Sequence, residues 1–238
     1  MNGYQRVYVR AIIQHGLFQK PKKYLSYENC QKVIFLKMNE IQLYQQKKGE
    51  ETIYQWVGRR NLEHVVCQSL IKDYFAKCDL HNLYLADSKE NQKRSNMPFH
   101  YNIPRTFQRA YCVKSKDQIP ILASIAYMSF LYPNLMIKHF QKMITYETFF
   151  FWKDRNHHIT EELVKRNEQI YQIQGNRNPF ITYPFLYKIM FKEDWNDIRW
   201  IENIKAFYWS YKWRMIYVIQ PLSFISDRTS SGFSFCNK

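Results

Sequence analysis

The sequence has no apolar run approaching the about 20 residues that a membrane-spanning helix needs, so no transmembrane helix is expected. It also lacks an apolar h-region behind the N-terminus, which argues against secretion and for an intracellular setting such as a mitochondrion. The five cysteines (Cys30, Cys67, Cys78, Cys112, Cys236) show no CxxC spacing and are odd in number. That argues against zinc ribbons and against a disulfide framework, and for thiols in a reducing compartment. There is no internal repeat. Acidic residues are absent from positions 1–27, which carry Arg6, Arg10, Lys20, Lys22 and Lys23. An acid-free basic arm has the character of a transit peptide or of a nucleic-acid-binding extension.

What the chain does have is positive charge and aromatic rings. Lys and Arg number 35 against 20 Asp and Glu, a net charge of +15, which suits a polyanionic partner. The 19 Tyr, 17 Phe and 6 Trp are more often core than base-stacking surface, so they do not by themselves indicate nucleic acid. At 238 residues the chain is long enough for one domain with a sizeable core.

Local pattern predicts an α+β protein. Lys32–Lys37 and Thr52–Val57 read as short strands, with a polar turn at Gln45–Glu50 between them. Val65-Val66 continues a strand that carries Glu63-His64, and Leu80–Leu85 reads as another. Asp87 or Ser88 caps a helix bearing Asn91 and Arg94. Beyond Pro120 the pattern turns helical: Ile121–Tyr132, then Leu135–Phe151. Thr160 opens a third helix with carboxylates in its first turn, and Gly175 stops it. Ile198, Ile201, Ile204, Tyr208 and Tyr211 form a helix-spaced stripe, followed by a strand-like 215–219 and a Ser/Thr-rich tail, 226–238.

Chemistry is concentrated at Glu63-His64 and Asn91. A carboxylate and a carboxamide oxygen are enough for one hard cation that keeps most of its water, as Mg²⁺ does. On an extended strand His64 points away from Glu63, so one side chain can hold metal while the other faces a water. Taken alone, a Glu-His pair is common by chance.

Two further segments narrow the reading. Asp79-Leu80-His81-Asn82-Leu83, with Ala86-Asp87 and Asn91-Gln92-Lys93-Arg94-Ser95-Asn96, resembles the middle motif of the bacterial endonuclease I family. Arg166-Asn167 followed by Gln174-Gly175-Asn176-Arg177-Asn178-Pro179-Phe180-Ile181 resembles that family's C-terminal signature. With Glu63-His64-Val65 in the right order, the resemblance spans about residues 53–190. It implies a His-Me-finger (ββα-metal) nuclease domain with a mostly helical remainder, cutting DNA and often RNA without sequence specificity. His64 then matches the general base, and Glu63 and Asn91 the ligands of one Mg²⁺ (or Mn²⁺ or Ca²⁺). Arg94 and Asn96 match polar residues of the finger helix, serving the fold and phosphate contact, and His81 a structural histidine. Gln174, Asn176 and Asn178 look like a buttress, and Arg177 like structural support or a phosphate contact.

The match has gaps. Cys67 stands where the family has proline, Thr182-Tyr183-Pro184 where it commonly has Asp-His-Pro, and the Cys67–Asp79 interval is short and without an arginine. An arginine is also missing ahead of Tyr127-Met128. The expected organisation is a basic arm (1–27), an endonuclease I-like domain (28–190) and an aromatic extension (191–238). Two functions fit: a metal-dependent endonuclease on DNA or RNA, or a nuclease fold recruited as a structural or RNA-binding subunit of a large ribonucleoprotein such as a mitochondrial ribosome. The intact Glu63, His64 and Asn91 favour the first. The lost arginines and the basic arm favour the second.

Overall fold

The computed structural model describes residues 16–37, 41–43, 60–102, 109–155 and 159–191. Arg6, Arg10 and the features expected at 45–50, 52–57, 198–211, 215–219 and 226–238 lie outside the described residues. The chain divides into two compact units, Met1–Glu193 and Asp194–Lys238, and every described residue belongs to the first. The fold is α+β: helices dominate, and the strands form two small sheets.

The expected strand at 32–37 is instead the second half of a helix, α1 (Tyr27–Lys37). Ser26 Oγ accepts from the Asn29 amide at 3.3 Å, an N-cap, and Glu28 lies in the first turn. Cys30 and Ile34, one turn apart, are fully buried, while Leu36 on the other side is exposed.

The larger sheet runs β1 (Gln42–Leu43), β3 (Leu83–Asp87), β2 (Arg60–His64), with β3 central. Strand β1 is parallel to β3 and β2 antiparallel to it. Leu62 lies opposite Leu85, Glu63 opposite Tyr84 and His64 opposite Leu83. Facing residues share a side of the sheet, so this register sends Glu63 and His64 to opposite sides. Leu83 and Leu85 face a core shared with Ile34 of α1, Cys78 and Ile170. Two expected strands are shorter than their pattern. Leu80–Asn82 is a 3₁₀ turn, because Asp79 caps it by accepting from the His81 amide at 3.0 Å. The chain bends at Val65-Val66, where Asn82 Oδ1 accepts from the Val66 amide at 2.7 Å and Nδ2 donates to the Val66 carbonyl at 3.1 Å.

After β2 come a four-residue helix α2 (Tyr74–Lys77), then β3 and α3 (Ser88–Arg94). The two-residue strands β4 (Phe99–His100) and β5 (Tyr111–Cys112) pair in parallel. Helix α4 (Ser115–Leu131) begins five residues before Pro120, which therefore sits inside it and forfeits one backbone donor. The segment expected to be helical from Leu135 to Phe151 is two helices, α5 (Pro133–Met143) and α6 (Tyr146–Arg155). Between them Ile144 is extended and bridges to Phe99, and Thr145 Oγ1 accepts from the Thr148 amide.

Helix α7 (Glu161–Gln174) starts at the Thr160 cap and ends at Gly175, whose φ of 82° is the left-handed conformation glycine tolerates. A Cβ there would also meet the Lys22 side chain at 3.0 Å. Short helices α8 (Pro179–Thr182) and α9 (Leu186–Met190) follow. Residues 16–26, within the expected basic arm, lie against the rest of the described chain. Phe18 is buried between Phe130 and Phe180, and the Lys22 and Lys23 amides donate to the Gln174 carbonyl. Among the described residues no helix is long and apolar enough to cross a membrane.

Candidate functional site

Strands β2 and β3 and helix α3 form one local unit. Asp87 Oδ1 accepts from the Lys89 and Glu90 amides at 3.0 and 3.1 Å, so α3 starts directly off β3 and turns back over β2. Asn91 and Arg94, three residues apart, both reach β2. Asn91 Nδ2 donates to Asn61 Oδ1 at 2.7 Å and towards the Leu62 carbonyl at 3.4 Å. With two acceptors facing Nδ2, the Asn91 carboxamide turns its oxygen the other way.

Arg94 is buried, with 1% of its surface exposed. Its Nη1 lies 3.1 Å from Glu63 Oε1 and 3.1 Å from the His64 carbonyl, and Nη2 donates to the Val65 carbonyl at 2.8 Å. The guanidinium also stacks 4.5 Å from the Phe99 ring centre. A side chain so enclosed fixes Glu63 and the end of β2; the phosphate contact expected of it has no room.

His64 occupies the other side of the strand. Its Nε2 lies 3.1 Å from the Lys77 carbonyl, which can only accept, so Nε2 carries the proton and Nδ1 the lone pair. The Gln68 amide nitrogen lies 3.2 Å from both Nδ1 and Nε2, on an exposed side chain. Tyr27 stacks on the ring with centroids 5.9 Å apart. Burial pushes the imidazole pKa down to about 4, so the ring is neutral at pH 7.

Glu63, Asn91 and Arg94 thus gather on one side of β2, while His64 meets Lys77, Gln68 and Tyr27 on the other. Glu63 and Asn91 offer a carboxylate and a carboxamide oxygen, the donors a hard divalent cation takes, but Glu63 is buried and its Oε1 is held by Arg94. Among the described residues no group of three or more His, Cys, Asp or Glu side chains is assembled for a metal. No protein-family model and no curated protein matches the chain.

The remaining candidates divide into a buried network and a surface. Gln174 Oε1 accepts from the Leu80 amide at 3.1 Å, and Nε2 donates to Asp79 Oδ1 at 3.0 Å and Asn176 Oδ1 at 2.8 Å. Asn176 Nδ2 donates to the Gln19 carbonyl and the Tyr127 hydroxyl; Asn178 Nδ2 donates to the Ala123 carbonyl. These amides tie the turn before β3 to α4, to α7 and to the segment at 16–26. His81, 2% exposed, donates through Nε2 towards the Asn176 carbonyl and lies against Tyr127. On the surface, Arg177 forks onto Glu168 at 2.9 and 3.1 Å and lies over Tyr171. Asn96, expected to support the fold, is exposed in the turn after α3, and Lys20, Lys22 and Lys23 are exposed.

Sequence reasoning passed over several residues that hold this arrangement. Asp79 is wholly buried and accepts from Gln174, the His81 amide and the hydroxyls of Tyr127 (2.8 Å) and Tyr132 (3.1 Å). Buried Arg166 donates to the Leu80 and Leu83 carbonyls and lies over Tyr84. The Lys77 carbonyl sets the His64 tautomer, and Gln68 lies over the two ring nitrogens. For Asp79 the available signal was its place at the head of the Asp79–Leu83 motif; for Gln68 there was none.

The buried histidine makes stability depend on pH. Burial lowers the His81 pKa to about 3, against about 6.5 in the unfolded chain. Above pH 6.5 both states are neutral there and stability is full. As pH falls from 6.5 towards 3 the unfolded chain takes the proton first, at a cost on the order of a few kcal/mol. Asp79, whose carboxyl burial pushes up, works in the opposite sense. His81→Gln keeps a donor for the Asn176 carbonyl but does not titrate. Its urea midpoint is therefore expected to fall less than the parent's between pH 6.5 and 4; equal slopes would remove His81 from the account.

Proposed function

We propose that this chain is a metal-dependent, sequence-non-specific endonuclease of the His-Me-finger type, hydrolysing phosphodiester bonds in DNA or RNA. The observation that carries the reading is the state of His64: Nε2–H is on the Lys77 carbonyl, which leaves the lone pair on Nδ1. An imidazole in that state accepts a proton from water without first having to lose one. The order β2, β3, α3, with His64 ending β2 and Asn91 on α3, supports the same reading.

In the proposed reaction His64 Nδ1 takes a proton from water after the Gln68 side chain moves aside, and the water oxygen bonds to phosphorus as the 3′ oxygen leaves. The leaving 3′ oxygen takes a proton from solvent, and His64 returns its own to solvent, so the product ends carry a 5′-phosphate and a 3′-hydroxyl. Glu63 and Asn91 would be the residues to hold a divalent cation, whose charge would offset that developing in the reaction. Arg94 holds the Glu63 carboxylate in place by its contact with Oε1.

Two observations favour the second reading, a nuclease-derived subunit of a ribonucleoprotein. His64 is 6% exposed with Tyr27 stacked on its ring, and Glu63 and Asn91 lie on the opposite side of β2, so the base and the proposed cation ligands do not face one another. Supercoiled plasmid and a labelled RNA, each incubated with purified protein in Mg²⁺ or in EDTA, separate the two. The nuclease reading expects nicked or shortened product in Mg²⁺ and none in EDTA. Intact substrates in Mg²⁺, Mn²⁺ and Ca²⁺ alike leave the scaffold reading.

A further inference from the structure

The interval between Cys67 and Asp79 is short, yet it carries two adjacent aromatic residues that the fold leaves outside. Tyr74 and Phe75 begin α2 and are 56% and 51% exposed, whereas Ala76 and Cys78, directly after them, are buried. The helix is therefore anchored by its later residues and presents its first two rings to solvent. Asp73 fixes the start, its Oδ1 accepting from the Phe75 amide at 2.9 Å. A third ring joins from the N-terminal segment: Tyr24 lies 4.6 Å from Phe75 between centroids, and Tyr74 meets Phe75 edge-on at 6.0 Å.

This ledge is tied to the candidate general base, because Lys77, the last residue of α2, gives its carbonyl to His64 Nε2. Its surroundings are basic. Exposed Lys22 and Lys23 precede Tyr24, exposed Lys72 precedes Tyr74, and Asp73 is the one acid between His64 and Cys78. Large rings left half in water, interleaved with lysines, match the chemistry of an unpaired base on a phosphate backbone. A duplex keeps its base faces stacked inside, out of reach of such a ledge.

The geometry points to a binding surface for single-stranded nucleic acid, on which Tyr74 and Phe75 stack unpaired bases while Lys22, Lys23 and Lys72 meet the flanking phosphates. The inference builds on the endonuclease reading and names its substrate class: single strands, or single-stranded regions, enter His64 across this ledge.

Binding is measured in EDTA, where no cleavage occurs, so failure of the ledge and failure of the chemistry are read separately. Full-length protein is titrated into a fluorescein-labelled oligothymidylate and into a duplex of equal length, at one fixed salt concentration, following anisotropy. The parent is expected to bind the single strand more tightly. Tyr74→Ala/Phe75→Ala should weaken single-strand binding about tenfold or more and leave duplex binding nearly unchanged. Phe75→Trp, which keeps a ring against Tyr24, should bind at least as well as the parent and controls for folding. Equal single-strand affinity in the double variant overturns the inference. So does a parent that prefers duplex, or one that binds neither probe, the result expected of a protein-docking patch.

Discussion

Replacing His64 by alanine is expected to lower the rate of phosphodiester cleavage by about 10²–10⁴-fold, the usual contribution of a positioned general base. The substitution removes the Nδ1 lone pair, and with it the group that takes the proton from water. It also leaves the part-buried Lys77 carbonyl without its donor and Tyr27 without its stacking partner, which costs about 1–2 kcal/mol of stability. A fall in rate is therefore informative only beside a melting curve. His64→Gln separates the two effects, since its amide can still donate to the Lys77 carbonyl but is not a base. The glutamine variant should melt close to the parent and cut as poorly as alanine. Cleavage by His64→Gln at the parental rate, in a preparation free of contaminating nuclease, would sink the assignment of this histidine as base. An unfolded alanine variant with a folded, inactive glutamine variant would uphold it.

How much of this was legible in the residues depends on how local the controlling contact is. The caps at Asp87 and Thr160 and the stop at Gly175 act within three or four residues, and the helix boundaries they predict hold. Lys32–Lys37 fails for the opposite reason. Four apolar residues in a row have no period of their own, and the deciding contacts of Cys30 and Ile34 come from Leu80, Leu83 and Ile170, far along the chain. The Ser26 cap starts a helix only because that buried face has something to meet. The break at Ile144 is likewise imposed from a distance, by its bridge to Phe99.

The candidate site shows the same division. Glu63, His64 and Asn91 could be named because the strand and the helix carrying them have local signatures. Which side of the sheet each reaches is set by the pairing of β2 with β3, whose register a sequence with no alignment does not fix. Arginines were the least legible residues. The family resemblance gave Arg94 both a fold role and a phosphate contact, and gave Arg166 no role at all. Arg94 and Arg166 are instead buried braces, each donating to two backbone carbonyls beside the β2–β3 pair. Arg177 lies on the surface with Glu168.

Arg94→Ala is expected to destabilise the protein by about 3–5 kcal/mol, because it leaves the carboxylate of Glu63 buried beside no cation. The ion pair is 2% and 3% exposed on its two sides, so solvent does little to screen it. The carbonyls of His64 and Val65 lose a donor at the same time, at the bend where β2 ends. Arg94→Lys retains the charge but not the fork, and cannot reach Glu63 and both carbonyls together; an intermediate loss is expected. If the buried charge is the main cost, Glu63→Gln should be less harmful in the Arg94→Ala background than in the parent, since it then removes an orphan rather than breaking a pair. Urea midpoints of the four proteins close that cycle. An Arg94→Ala protein as stable as the parent would mean that Glu63 finds solvent or another cation, and Arg94 would return to the list of residues open to phosphate.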